Sequence, residues 1–392
     1  AFELAIEYVE DLSAFQVFPG ATTRTTYFVA RKQQTHTFPV AYTYWKRRGW
    51  RARLDADAEF EEILEHAKPL ELAAEPYLPE AAESPWITAR QGALDALRRL
   101  VGESAYTARQ GVNTGGGNAI FWVRILERLD EGLLRVENIT KGAKRKVPQR
   151  QVVLEDAYVH PLIRGRNVER WGVEGDRHII MVQDPEKRRG VEPDQLRERA
   201  PRTFEYLTEH EDALRSRSLF KRYFTRGGEP TAPFYSMFGV GDYTMTPCKI
   251  AWAGQVATTL DCAVMESDGR TDNVMLPDQT AYFIGVEEPT EAHYLCALLN
   301  ASPVRLLYRS FLYKHVSLSF VEALDIPAWD DSYEWMSDLA EASRTAHEAV
   351  ARSDPETASK QQDRIDDITA ELWNISAAER RAIRESIELL TH

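Results

Sequence analysis

Short runs of β-branched and aromatic residues, separated by turn formers, recur along this chain to about residue 330 and then give way to helical spacing. That switch of period constrains the fold more than any other feature, because half-buried strands need alternation and amphipathic helices need a repeat near 3.6. Within the first 50 residues, the turn Pro19-Gly20 leads into a strand candidate at Thr22–Ala30, and Phe38–Trp45 is a second. Residues 55–67 place Phe60, Ile63, Leu64 and Ala67 on one helical face. A Pro-rich acidic stretch follows (Pro69, Pro76, Pro79, Pro85) and reads as a surface linker. Ala89–Leu100 reads as a helix with Leu94, Leu97 and Leu100 aligned and Gly102 beside its C-cap. Further strand candidates are Ala119–Leu126, Arg177–Gln183, Lys249–Gly254 and Ala281–Val286, interrupted by helices at 194–218 and 290–313. From 333 onward the pattern is helical, broken near Pro355. The expected class is α+β with a helical tail.

With hydrophobic residues at 43% and aromatics at 10%, the chain can fill a large core, and no apolar run is long enough for a transmembrane helix. Its 392 residues suit two or three packed units, and no repeat or low-complexity tract is evident. The N-terminus carries acids within its apolar stretch, unlike a signal peptide, and without an initiator Met it reads as a fragment start. Cys248, Cys262 and Cys296 are too widely spaced for a zinc site and are expected to be inert buried thiols in a reducing cytoplasm. The net charge of −13 argues against nucleic acid until it is divided along the chain. Residues 55–83 hold ten acids and one Lys, and residues 331–392 hold fourteen acids and seven Lys or Arg. Residues 141–170 reverse the sign, with eight Lys or Arg against three acids. A local basic stripe on an acidic chain suits one DNA-binding face, although on charge alone a solvated loop fits as well.

The segment Tyr106–Trp122, YTARQGVNTGGGNAIFW, sets three glycines (Gly115, Gly116, Gly117) among Arg109, Asn113, Thr114 and Asn118. Such a turn lets backbone approach another surface, and these side chains suit phosphate oxygens and base edges. A glycine-rich hairpin whose Asn residues satisfy only its own turn remains the competing reading.

With its neighbours, this segment resembles the opening of the target recognition domain of large adenine-specific DNA methyltransferases, including type IIG restriction-modification enzymes and phage-defence methylases. Arg109, Gly111, Thr114, Gly115 and Phe121 or Trp122 approximate that family's R-x-G-x-x-T-G-x-x-x-x-F run. Pro161–Trp171 (PLIRGRNVERW) is similar to its P-x-I-x-G-x-x-I-x-R-W segment. Lys249-Ile250, DQTAYFIGV and Tyr294–Tyr308 (YLCALLNASPVRLLY) follow in the family's order. Ile365–Arg380 resembles its closing helix, with Trp373 and Asn374 in place of Tyr and Gly. FPGATTRTTYFVARK resembles the last strands of the methylase core.

The resemblance implies an S-adenosylmethionine-dependent adenine-N6 methyltransferase of restriction-modification or phage defence, of which this chain holds the DNA-recognition part. It divides the chain into the end of a methyltransferase core (1–50), an acidic helical connector (51–105), a target recognition domain (106–330) and C-terminal helices (331–392). The chemistry of the intact enzyme needs an F-x-G-x-G turn for S-adenosylmethionine and a Pro-Pro-aromatic motif for the flipped adenine. No Pro-Pro pair occurs, and Phe238–Asp242 (FGVGD) has its glycines out of step and reads as a hairpin turn. There is no H-E-x-x-H, Asp184–Lys187 (DPEK) reads as a surface turn, and the Glu-rich segments 59–65 and 379–388 read as solvated faces. No catalytic, cofactor or metal residue is therefore expected in this chain. Double-stranded DNA is the expected partner, with the upstream core of the same protein or of a partner chain. The candidate phosphate contacts are Lys141, Lys144, Arg145, Lys146 and Arg150, then Arg164, Arg166 and Arg170 at a Gly-containing corner. The resemblance places Lys314 and His315 near the DNA cleft, and core packing or capping explains them equally well. Two other classes fit the residues: a stand-alone DNA-specificity subunit, and a protein-interaction accessory that binds through its acidic helices.

Overall fold

A computed structural model describes residues 4–18, 25–49, 59–78, 80–81, 84–254, 259–266, 273–311 and 318–391. Pro19-Gly20, the first part of the Thr22–Ala30 strand, residues 55–58, Pro79, Lys314, His315 and Ser317 lie outside them. The chain forms two compact units, one of residues 1–102, 301–316 and 366–392, the other of residues 103–300 and 317–365. Their mixture of separate sheets and helices is α+β.

The first unit is built on a five-stranded sheet, ordered β2 (Thr26–Lys32), β1 (Leu4–Asp11), β3 (Val40–Arg47), β4 (Ala67–Pro76), β5 (Trp86–Ala89). Only β1 and β3 run parallel; the other pairs are antiparallel. Val9, Val40, Tyr42, Leu72 and Ala74 form its apolar layer. Strand β4 corrects the linker reading of the Pro-rich stretch. Leu70, Leu72 and Ala74 are buried at alternate positions, the period of a strand. Pro69 lies in the half of β4 that β5 does not reach, and Pro76 is the strand's last residue, so neither blocks a ladder on both sides. The 55–67 helix shrinks to α1 (Phe60–His66), with Ala67 already in β4.

Three helices complete this unit: α2 (Gln91–Arg99), α9 (Ser302–Ser310) and α13 (Ala377–Thr391). Ala93, Leu94, Ala96 and Leu97 are the buried face of α2, and a Cβ on Gly92 would sit 3.5 Å from Ala382 of α13. Ser376 and Glu379 form the start signal of α13, Ser376 N donating to Glu379 Oε2 (2.8 Å) and Glu379 N to Ser376 Oγ (3.3 Å). Just before it, Asn374 takes a left-handed φ of 50°, and Ile375 N closes back onto Ala370 O at 2.7 Å. Asn is the residue other than Gly best suited to that cap, which explains why it can stand where the resembling family has Gly.

The second unit holds two sheets. In the larger, the order is β20 (Leu276–Pro277), β10 (Val159–Ile163), β13 (Arg177–Ile180), β7 (Trp122–Leu129), β8 (Leu133–Asn138), β9 (Gln151–Glu155), with only β10 and β20 parallel. The smaller runs β19 (Cys262–Glu266), β18 (Cys248–Ala253), β21 (Ala281–Val286), β6 (Arg109–Gln110), all antiparallel. Small ribbons pair β11 (Val168–Glu169) with β12 (Gly172–Val173), β14 (Gln183–Asp184) with β15 (Arg189–Gly190), and β16 (Thr225–Arg226) with β17 (Glu229–Pro230). Asp184–Lys187 lies in the turn of the second ribbon, as expected. The strand expected from Ala119 starts at Trp122, after the helical turn α3 (Asn118–Phe121).

The helix expected at 194–218 is three: α4 (Pro193–Arg199), α5 (Pro201–Thr208) and α6 (Glu211–Arg215), with α7 (Ser218–Tyr223) after them. Pro201 cannot continue α4 and instead opens α5, whose first amides, Arg202 N and Thr203 N, donate to the Glu155 carboxylate (3.0 and 2.9 Å). The helix expected at 290–313 likewise ends early, at α8 (Pro289–Asn300). Asn300 is fully buried and its amide brackets Cys262, accepting from its N (2.9 Å) and donating to its O (2.8 Å). The short α10 (Ser319–Glu322) and then α11 (Glu334–Ala351) follow, and α12 (Pro355–Leu372) carries the chain from the second unit back to the first. All three cysteines are free and buried.

Residues 278–280 carry the chain from the larger sheet to the smaller one, and other segments converge on them. Asp278 N donates to Ile163 O (2.7 Å), Val112 N to Pro277 O (2.8 Å) and Gly254 N to Thr280 O (2.9 Å). A Cβ on Gly111 would lie 2.3 Å from Asp278 O, and one on Gly165 would lie 2.3 Å from Thr280 O. Gly111→Ala and Gly165→Ala are therefore expected to destabilise the chain by about 1–3 kcal/mol or more through overpacking. Gly116→Ala, at φ +89° but with open space around it, should cost only about 1 kcal/mol. Urea midpoints of the three variants check the order, and equal losses would contradict it.

His347 of α11 is tied at both nitrogens, Nε2 accepting from Val264 N (3.0 Å) and Nδ1 facing Ser343 O (2.8 Å). That pair of partners requires the neutral ring with its proton on Nδ1. Burial, with His293 nearby, holds its folded value down at about 4, although the bond to Ser343 O and then Glu266 oppose the shift. The unfolded ring titrates near 6.5, so the unfolded chain binds the extra proton first as pH falls. The stabilisation is complete above about pH 6.5 and is lost on the way to about pH 4, and buried His160 and half-buried His178 act in the same direction. Melting temperature should fall across that window, and His347→Gln should reduce the slope while lowering stability at neutral pH. A flat wild-type profile would contradict this account.

Candidate nucleic-acid interface

The glycine loop after β6 is held from within. Asn113 Oδ1 accepts from Gly115 N (2.8 Å), and Asn113 exchanges two backbone bonds with Phe238 (2.8 and 3.0 Å). Thr114 is buried and its hydroxyl donates to Asn118 Oδ1. These three side chains spend hydrogen bonds on the loop's own shape, as the self-satisfying reading has it. Gly115 and Gly116 take left-handed φ values of 66° and 89°, and nothing lies within 4 Å of a Cβ built on Gly116. The loop thus presents bare backbone at its tip.

Beneath the loop lies Arg217, a residue with no exposed surface. Its guanidinium donates to four carbonyls: Leu214 O (2.8 Å), Thr114 O (2.7 Å), Phe234 O (2.6 Å) and Ser236 O (2.9 Å). Burial, and then the neighbouring Arg145, bring its value down to about 10, so it stays charged at neutral pH. The sequence offers no sign of this role, because helical spacing across 194–218 makes Arg217 an ordinary position of a longer helix.

The basic loop 141–150 springs from buried Asn138, whose amide donates to Ala119 O (2.9 Å) and Pro148 O (3.1 Å) while Oδ1 accepts from Arg150 N (2.8 Å). Lys141, Lys144 and Lys146 are exposed, and no ion pair is formed by them among the described residues. Arg145 Nη1 donates to Ser216 Oγ (2.7 Å), which joins this loop to the α6–α7 junction. Arg150 turns inward, paired with Glu209 and 5.2 Å from the centre of the Tyr206 ring.

The corner after β10 brings further arginines together. The guanidinium of Arg164 lies 5.3 Å from the centre of the Trp122 ring and 3.3 Å from Asp278 Oδ2. Arg177, not among the sequence candidates, lies 5.4 Å from the same ring. Its value is lowered by burial and then by Arg164 and Arg166, with Arg124 adding to the effect. Arg166 is exposed. Arg170 turns to α12, with Nη1 3.4 Å from Gln362 Oε1. Arg109 is exposed and lies 5.1 Å from the centre of the Tyr243 ring. Lys249 is fully buried, its ammonium donating to Thr246 O at 2.6 Å. Lys314 lies outside the described residues.

A second cationic segment stands apart from the sequence candidates. Residues 213–228 hold five Lys or Arg and no acid. Lys221, Arg222 and Arg226 are exposed, as is Tyr223. The signal is present in the sequence, but a helix ending at 218 divides it.

Phe238–Asp242 is a chain crossing rather than a hairpin turn. A Cβ on Gly239 would lie 2.9 Å from Gly111 O, and one on Gly241 would lie 2.5 Å from the Tyr243 ring. Both glycines are filled against the protein's own chain, so this turn does not fit S-adenosylmethionine. Among the described residues, no group of three or more His, Cys, Asp or Glu is placed to hold a metal ion, and no helix is long and apolar enough to cross a membrane.

No family model matches the chain. Over 180 residues it is 32% identical to the type II methyltransferase M.NspV of Nostoc sp., a match covering 45% of this chain and 35% of that protein. The chain thus spans about a third of the length of the curated relative it matches. Its fold is similar to that of the type IIL restriction-modification enzyme MmeI, whose structure was solved in complex with DNA. The TM-score is 0.52 at 11% identity, covering 99% of this chain and 46% of that one. In sequence, this chain is thus similar over part of its length to a type II methyltransferase, and in fold to a restriction-modification enzyme.

Proposed function

We propose that this chain is the DNA-recognition portion of an S-adenosylmethionine-dependent adenine-N6 DNA methyltransferase that serves restriction-modification or phage defence. In this reading residues 106–330 carry recognition, residues 1–50 are the last strands of a methylase sheet, residues 51–105, which add two strands to the same sheet, lead on to the recognition part, and residues 331–392 are terminal helices. Double-stranded DNA is the partner, and the methyl transfer belongs to an upstream core in the same protein or in a partner chain.

One observation carries the reading. On a chain of net charge −13, the acid-free segment 213–228 is tied by Arg145–Ser216 to the lysine-bearing loop 141–150, and by Arg217 to the glycine loop. Lysines without acidic partners gain by releasing the counterions of a phosphate backbone, whereas paired ones on a helix surface gain little. The Trp122 corner offers Arg166 and Arg177 as further phosphate contacts, with Arg164 and Arg177 restrained by the indole ring.

The test is binding to a random-sequence duplex across a salt series. The wild-type chain should bind with affinity that falls steeply with salt. Lys141→Glu, Lys144→Glu and Lys146→Glu together should weaken binding and reduce the salt slope by about 1 for each phosphate no longer neutralised. Arg352→Glu and Lys360→Glu, which break surface pairs with Glu348 and Glu356, should leave it unchanged. Absence of binding at low salt would overturn the proposal, and so would equal loss in both sets of variants.

A further inference from the structure

Beyond the phosphate contacts, one part of this surface is shaped for something other than backbone neutralisation. Helix α7 ends at Tyr223, whose side chain is 56% exposed, and the two-residue ribbon β16–β17 follows at once. Its tip is Gly227-Gly228, at φ +60° and +89°, with nothing within 4 Å of a Cβ built on either. Every residue from Arg226 to Thr231 is exposed. So short a ribbon has little stability of its own, and its foot supplies the support. Phe224 stacks on Phe238 with ring centres 4.8 Å apart, Tyr223 meets the same ring at 5.3 Å, and Thr231 N donates to Phe224 O (2.9 Å). Phe238 is itself bonded to Asn113 of the glycine loop. The ribbon is therefore a projecting arm on a fixed aromatic base, beside the bare backbone of Gly115 and Gly116.

Cations cluster at the foot of this arm, which carries one exposed acid, Glu229, opposite Arg226. Lys221, Arg222 and Arg226 are exposed around Tyr223, and the Arg222 guanidinium lies 5.1 Å from the centre of the Tyr223 ring. A hydrophobic protein partner would have to desolvate these charges, whereas a polyanion neutralises them. A two-stranded ribbon fits a DNA groove, and an exposed aromatic ring among cations is what stacks on a base in nucleic-acid complexes. We propose that the ribbon Thr225–Pro230 enters a groove of duplex DNA and that Tyr223 at its foot stacks against a base step which the arm opens. This rests on the DNA-recognition reading above and adds a local unstacking to it. The two glycines give the tip its small cross-section, which a side chain at either position would enlarge.

The experiment uses the full chain and a random-sequence duplex pool, with retention of the pool measured first. Unstacked thymines are then oxidised by permanganate and mapped by sequencing. With the wild-type chain, oxidised thymines should rise above the protein-free background in the retained duplexes. Tyr223→Ala should lower that signal about tenfold, the scale of a single base–aromatic stack. Retention should stay close to wild type, because the phosphate contacts remain. Tyr223→Phe should keep the signal, since stacking needs the ring and not the hydroxyl. Bound duplex without excess oxidation, or oxidation unchanged by Tyr223→Ala, would overturn this inference while leaving DNA recognition standing. No retention of duplex by the wild-type chain would overturn both.

Discussion

The second unit depends on a buried carboxylate at the place where its chain changes sheets. Asp278 is 1% exposed, and a buried carboxylate must find donors or cost several kcal/mol. Oδ1 accepts from Thr280 N at 2.8 Å and also from the Thr280 hydroxyl, and Oδ2 faces Arg164 Nε at 3.3 Å. These contacts shape the turn that ends one sheet and starts the other. The Thr280 hydroxyl also accepts from Gly165 N (2.9 Å), so the same turn fixes the arginine corner after β10. Gly111 and Gly165 follow as necessities, because their backbones meet the carbonyls of this turn where a side chain would stand. The motif positions Gly111, Arg164 and Gly165 thus share a physical cause, although more than fifty residues separate the first from the other two.

Arg217 plays a corresponding part for the glycine loop. A charge without water must be met by oriented dipoles, and four carbonyls from three segments meet this one. The contact orders Thr114 at the base of a loop whose tip has no side chain to order it. A binding surface made of backbone needs such support, since flexible glycines lose more entropy on binding than a restrained loop does. The same residue fixes the junction of α6 and α7, from which the exposed cations of the 213–228 segment project. Buried and exposed arginines here serve different ends, and only their surroundings distinguish them.

Much of this is legible in the sequence, and what is not has physical reasons. The run Ala281–Val286 is a strand with the bounds its alternation gives, and the terminal helices break at Pro355 as expected. Of the glycines in the resembling motifs, Gly111 and Gly165 are close-approach positions and Gly115 is a left-handed turn position. Strand β4 is hidden in the sequence because its prolines signal a linker more strongly than its alternation signals a strand, yet a strand tolerates proline at its unpaired edge and at its end. The 194–218 segment suggests too long a helix because its apolar residues keep a helical spacing across Pro201. At the candidate interface, loop geometry governs what spacing cannot show. Asn113, Thr114 and Asn118 bond within the loop, and Arg150 pairs with Glu209, while Arg124 and Arg177 reach the arginine corner from the neighbouring strands β7 and β13.

The acidic balance of the chain has a consequence for how such a surface works. Like charges repel a phosphate backbone at distances up to a Debye length, about 8 Å at physiological salt, and beyond that they are screened. Acids on residues 331–392 therefore do not cancel cations on 141–150 or 213–228 by summation over the whole chain; they act where they stand. An acid repels a phosphate backbone near its own position, and a cationic segment beyond that range stays attractive. A uniformly basic protein would bind duplex in many orientations and dwell in unproductive ones. On the proposed reading, the exposed cations of segment 213–228, of the lysine loop and of the arginine corner favour binding through the residues that carry recognition, whatever the sign of the whole chain. Net charge alone is then a poor guide to whether such a chain binds DNA.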